Sequence, residues 1–192
     1  MIRAGDTLRN ETTGETITFL ETSADTNGEY TLIEVTVAPG GGVPMAHVHP
    51  QQSETFEVIS GELTMKAGRD RIVAQAGDVV TVAPGQVHKF RNASDAPVVF
   101  RCTVAPALEF ERFIETMFAL GADGKLNRRG MPSPLRLAAI ANAHFDDSRA
   151  PYVPAWLQKA GLSAGALAAK AFGYGPTYES RQPQPELVPQ TA

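Results

Sequence analysis

Three of the four histidines of this 192-residue chain, His47, His49 and His88, fall within residues 47–88, and a carboxylate, Glu54, stands among them. Imidazole and carboxylate are ligand types that suit first-row divalent metals. Three neutral imidazoles and one carboxylate would neutralise part of such a charge and leave coordination positions for water, substrate or dioxygen. His47 and His49 are spaced i, i+2, which on a strand sends both rings to the same face. Glu54 shares its parity with Phe56 and Val58, so it points inward, where a bare carboxylate would be costly. His88 opens an apolar run after Pro84-Gly85, with Phe90 on its own face. The same parity supplies the walls of a pocket: Met45 with His47, Phe56 and Val58 with Glu54, Phe90 with His88, and Phe100 from a later run. Such walls suit a small, flat or apolar molecule that offers an enolate, phenolate or carboxylate oxygen to a metal.

Short β-type runs must position these residues. They cover 16–22, 30–37, 55–59, 63–67, 72–75, 79–82, 87–91 and 98–104, broken by Asn27-Gly28, Gly61, Gly68, Gly77 and Gly85, a pattern of antiparallel sandwiches and barrels. After Pro106 the period changes. Phe110, Phe113, Ile114, Met117 and Phe118 recur at helical spacing over 108–120, a second helix is expected over 134–143 with Ser133 as N-cap, and a third over 163–172. Residues 182–192, with Pro183, Pro185 and Pro189, are expected to be a disordered tail. The chain thus divides into a barrel domain over 1–106, a helical extension over 107–181 packed on the barrel, and that tail.

Composition narrows the function classes. Seventeen Lys+Arg against 21 Asp+Glu give a formal charge of −4, without the basic excess that nucleic-acid binding requires. The single cysteine, Cys102, rules out an intramolecular disulfide and a cysteine zinc cage, and its parity with Val98, Phe100 and Val104 makes it a small buried apolar residue. The N-terminal residues lack the apolar stretch of a secretory signal, and no run is long enough to span a membrane, so a cytoplasmic protein without membrane or nucleic-acid partners is expected. His144, beside a helix end, is expected to be a surface or capping residue. Lys125, Arg128 and Arg129 read as a solvated loop.

The motifs carry a family resemblance. Gly41-x5-His47-x-His49-x4-Glu54-x6-Gly61 resembles the first motif of the cupin superfamily, and Gly77-x7-Gly85-x2-His88-x3-Asn92 resembles the second. One departure is visible: Ala83 stands where the second motif usually has proline, and Pro84 comes one position late. The resemblance implies a mainly β fold, a double-stranded β-helix of two antiparallel sheets with a C-terminal α-helical extension. It implies one divalent transition metal per chain held by His47, His49, Glu54 and His88, with iron or nickel expected ahead of manganese or zinc, and a homodimer. The run Glu109-Phe110-Glu111-Arg112-Phe113 is similar to the single-barrel quercetinases, which implies a dioxygenase whose small-molecule substrate binds the metal through a deprotonated oxygen, with Glu54 as catalytic base. Two alternatives accompany this expectation: redox-neutral isomerase, cyclase or lyase chemistry at the metal, and a non-catalytic small-molecule-binding module.

Overall fold

The computed structural model describes residues 2–180, so the tail expected over 182–192 lies outside the described residues. Nine strands precede three helices: β1 Thr7–Asn10, β2 Glu15–Glu21, β3 Thr31–Val37, β4 Ser53–Ser60, β5 Glu62–Ala67, β6 Asp70–Gln75, β7 Val79–Val82, β8 His88–Arg91, β9 Val98–Ala105, α1 Phe110–Ala122, α2 Pro134–Ala143 and α3 Ala155–Ala171. The strands form two antiparallel sheets, one of six in the order β1-β2-β3-β9-β4-β7 and one of three in the order β6-β5-β8. This is the double-stranded β-helix expected from the motifs.

Strict alternation builds the inner faces. In β3, Thr31, Ile33, Val35 and Val37 are buried and the residues between them are not, and β9 repeats the pattern with Val98, Phe100, Cys102 and Val104. The core between the sheets includes Phe19, Phe56, Phe100, Leu63 and Met65, all with almost no exposure. Each such side chain contributes about 1.5–3 kcal/mol by leaving water. β1 was not expected, because three of its four residues are polar and carry no apolar period; its register against β2, Thr7 opposite Thr18, is what makes it a strand.

The segment that carries His47 and His49 is not a regular strand. It joins the three-stranded sheet through isolated bridges, Gly42 with Arg91 and His47 with His88, and Val48 bridges Arg149 on its other side. Gly42 is needed at this crossing. Its φ is +144°, and a Cβ there would lie 2.6 Å from Arg91 Cα, closer than any side chain tolerates.

The extension is tied to the barrel by polar and apolar contacts. Glu111 on α1 accepts hydrogen bonds from Ser23, through both its backbone N–H and its hydroxyl, and from the Thr31 hydroxyl. α3 starts directly after Pro154, earlier than the expected 163, because Gly161 and Gly165 weaken its helical signal without breaking it. Gly165 instead marks close packing: a Cβ there would come within 2.7 Å of Ala138 Cβ on α2. No helix among the described residues is long and apolar enough to cross a membrane.

One inward position of β2 is a carboxylic acid. Glu15 is 6% exposed, and burial raises its pKa from 4.5 to about 7 against a hydrogen bond with Thr13 that pulls the other way. Between pH 4.5 and 7 the folded chain keeps a proton that the unfolded chain releases, so stability falls as pH rises through that window, by about 3 kcal/mol in all. Glu15→Gln removes the cost. Its melting temperature is expected to exceed that of the unmodified chain at pH 8 and to match it near pH 4.5; an unchanged pH dependence in thermal melts would refute the assignment.

Candidate metal centre

His47, His49, Glu54 and His88 converge as the motifs predict, each offering one ligand atom, and these atoms lie within 4.8 Å of one another. The ring centroids stand 4.3 Å apart for His47 and His88, 4.9 Å for His47 and His49, and 5.4 Å for His49 and His88. Three elements bring them together: the bridged segment before β4, the start of β4, and the first residue of β8. The sheet register puts Glu54 opposite Val104 on one side and Val82 on the other, at the end of the barrel nearest the helices.

The tautomers decide whether the cluster fits a metal. His47 Nδ1 lies 3.2 Å from Met45 O, His49 Nδ1 2.6 Å from Asp147 O, and His88 Nδ1 3.1 Å from Gln86 O. A carbonyl oxygen only accepts, so each Nδ1 donates and each neutral ring keeps a lone pair on Nε2. His88 Nε2 then meets Glu54 Oε2 at 2.6 Å, and His49 Nε2 stands 3.6 Å from Glu54 Oε1. His88 Nε2 and Glu54 Oε2 are both buried and neither makes a hydrogen bond of acceptable geometry. Two acceptors at that separation repel unless a cation lies between them. A proton on His88 is one solution, and a divalent metal shared by all four groups is the other; the donor set fits the metal.

The electrostatics agree in direction. Burial would raise the Glu54 pKa, but contact with His88 and the fields of the three imidazoles outweigh it and hold the carboxyl at about 2, ionised at neutral pH. Desolvation and the neighbouring His88 lower His47 to about 4, which leaves it neutral and able to ligate. For His88, burial lowers the pKa and the contact with Glu54 outweighs it, so the net shift is upward.

The cluster opens on a cavity of about 490 Å³, a size that suits a small molecule. Phe56, Phe90 and Phe100 form one wall, their centroids 5.2–5.9 Å apart in tilted and edge-on arrangements. Met45 and Cys102 line it too, and Glu15 contributes a buried carboxyl. Val58, expected on this wall, is instead in the core: it sits four residues beyond Glu54, about 13 Å along the strand, paired with Phe100 and outside the cavity lining. The opposite wall comes from the helices, with Phe113 and Met117 of α1, Leu137 of α2 and Leu157 of α3.

His144 occupies the C-cap position of α2, at the helix end where it was expected, but it is not at the surface: it is only 3% exposed and lines the cavity, its ring against Phe113 of α1. Asp147 was not anticipated at all. Its backbone carbonyl fixes His49, and two residues on, Arg149 exchanges backbone hydrogen bonds with Val48 at 2.9 and 3.0 Å. No motif marks these contacts, since they use the backbone; the sole signal is the i, i+3 spacing of His144 and Asp147. Cys102 is buried as expected, and burial pushes its thiol well above the usual range. Lys125, Arg128 and Arg129 are exposed.

The full chain is expected to retain one divalent transition-metal ion in elemental analysis, with affinity reduced more than about tenfold by His88→Ala or Glu54→Gln. Arg149→Pro deletes the amide hydrogen given to Val48 and should weaken metal binding about tenfold, whereas Arg149→Ala keeps that amide and should bind like the unmodified chain. Equal affinities in Arg149→Pro and Arg149→Ala would refute support of the site by the extension.

Comparison with known proteins places the barrel. The cupin domain profile matches residues 33–104. An uncharacterized conserved protein with a double-stranded β-helix domain from Klebsiella pneumoniae is similar at 27% identity, over 56% of this chain and 84% of its own, with a TM-score of 0.43. A predicted oxalate decarboxylase from Thermotoga maritima shares 17% identity over 55% of this chain and 98% of its own, with a TM-score of 0.48. An RmlC-like cupin from Shewanella frigidimarina shares 23% over 52% and 82%, with a TM-score of 0.45. Comparison with curated proteins gives no match. The matched residues hold all four candidate ligands and stop before α1, so the similarity to the cupin domain covers most of the double-stranded β-helix and leaves the helical extension outside it.

Proposed function

We propose that the chain is a metal-dependent dioxygenase of quercetinase type, acting on a small apolar or aromatic molecule with an acidic hydroxyl. The observation that carries this reading is the cluster of three imidazoles and one carboxylate at the floor of an apolar, aromatic-walled cavity. A divalent transition metal held by His47, His49, Glu54 and His88 would supply a Lewis acid for the substrate oxygen and a partner for dioxygen. The protein supplies the rest. Phe56, Phe90 and Phe100 offer ring edges and faces between which a flat substrate is oriented. The helices shut bulk water from the reacting atoms, which strengthens every polar interaction there.

Glu54 has two tasks in this reading. As an ionised carboxylate it holds part of the positive charge, and one of its oxygens takes the hydroxyl proton as the substrate binds. The buried imidazoles around it keep the carboxylate charged and in place until then.

The test is oxygen consumption by chain reconstituted with iron or with nickel, against a panel of flavonols and β-diketones. Turnover with ring-cleaved product is expected, falling about 100-fold or more per metal-loaded site in Glu54→Gln. Product formed equally well without oxygen would replace this reading by redox-neutral chemistry, and absence of oxygen uptake with every reconstituted metal would sink it.

A further inference from the structure

Outside the metal cluster, the cavity wall holds one imidazole that none of the preceding chemistry uses. His144 is 3% exposed, and its Nδ1 stands 3.2 Å from Asp147 Oδ2. The carboxylate accepts, so Nδ1 carries a proton, and in the neutral ring Nε2 keeps a lone pair. That Nε2 is buried and has no hydrogen-bond partner among the described residues. A buried acceptor left unpaired costs about 1–3 kcal/mol, and the fold meets that cost while spending a second residue, Asp147, on fixing the ring. A histidine needed only to fill space would be replaceable by phenylalanine without either penalty. The neighbours support this, since Phe113 stands edge-on to the imidazole at 5.4 Å and both residues line the cavity.

We propose that His144 is a recognition residue of the cavity: its Nε2 accepts a hydrogen bond from a hydroxyl of the bound molecule, whose other end faces the metal cluster. The ligand class is a hydroxylated but otherwise apolar small molecule, such as a phenol, because Phe113, Met117, Leu137 and Leu157 make the helical wall mostly apolar, with Ser148, Arg149 and Gln158 as its other polar residues. Asp147 links this ring to the cluster: its side chain orients His144 while its backbone carbonyl orients the candidate ligand His49. His144 is therefore a specificity residue and not a fifth metal ligand. The proposal rests on the reading of this cavity as the substrate site, but it does not depend on the reaction being an oxygenation.

The test uses the zinc-loaded full chain with 15N-labelled histidine and two probes of similar shape, phenol and toluene, titrated by NMR. Zinc occupies the ligand imidazoles, so they cannot accept the phenol hydrogen. Phenol is expected to bind about fivefold more tightly than toluene, and to move the His144 Nε2 resonance, which toluene leaves in place. His144→Phe should lose the preference while still binding toluene, and His144→Gln, which keeps an acceptor, should restore most of it. A phenol preference that survives in His144→Phe, or an Nε2 resonance that phenol does not move, overturns the proposal. Neither oxygen nor turnover enters these measurements, so their failure is distinguishable from failure of the dioxygenase reading.

Discussion

Four acceptor groups meet at one end of an apolar barrel, and the rest of the molecule is arranged around the cost of putting them there. Each histidine of the cluster gives its Nδ1 hydrogen to a backbone carbonyl, which commits Nε2 to the interior. Glu54 brings a charge that the surrounding Phe56 and Phe100 cannot solvate. Such an arrangement is unfavourable alone and favourable around a cation, which makes the cluster a candidate metal site. The strands that position it contribute little chemistry themselves. Their alternating inner faces provide a rigid, water-poor frame in which small displacements of a ligand are resisted by packing.

The weakest part of that frame is the segment with His47 and His49, because it is bridged and not continuously paired. It is held from both sides, by β8 through the His47 and His88 backbones and by the extension through Val48 and Arg149. The second attachment changes the standing of the helices. α1 is pinned by Glu111, α2 and α3 pack closely at Gly165, and the chain between α2 and α3 reaches back to fix both a ligand strand and a ligand ring. The extension therefore forms half of the cavity and part of the support of the metal site. A minimal barrel would leave the edge beside Val48 open to water or to another strand.

The cavity sets a few polar groups in a mostly apolar lining. The His and Glu cluster, His144 and the acidic Glu15 all border it, among phenylalanines from both the barrel and α1. Affinity for a ligand in such a space comes mostly from apolar contact, and orientation comes from the few polar groups.

The ligand set and the barrel were legible in the sequence because both depend on short-range regularities. The i, i+2 histidines, the parity of Glu54 with Phe56, and the turn glycines are local patterns that a twisted antiparallel sheet converts directly into a shared inner face. α1 and α2 were legible for the same reason, through apolar spacing and Ser133-Pro134. What the sequence could not express was pairing through the backbone between distant segments. β1 exists only by its register with β2, and the supports from Asp147 and Arg149 use a carbonyl and an amide that every residue possesses. His144 was legible as a helix-end residue but not as a buried one, because nothing local says which way the end of a helix faces. Tertiary packing decided that, by setting the His144 ring against Phe113 of α1 and closing a cavity whose far wall is drawn from α1, α2 and α3, all beyond the second motif.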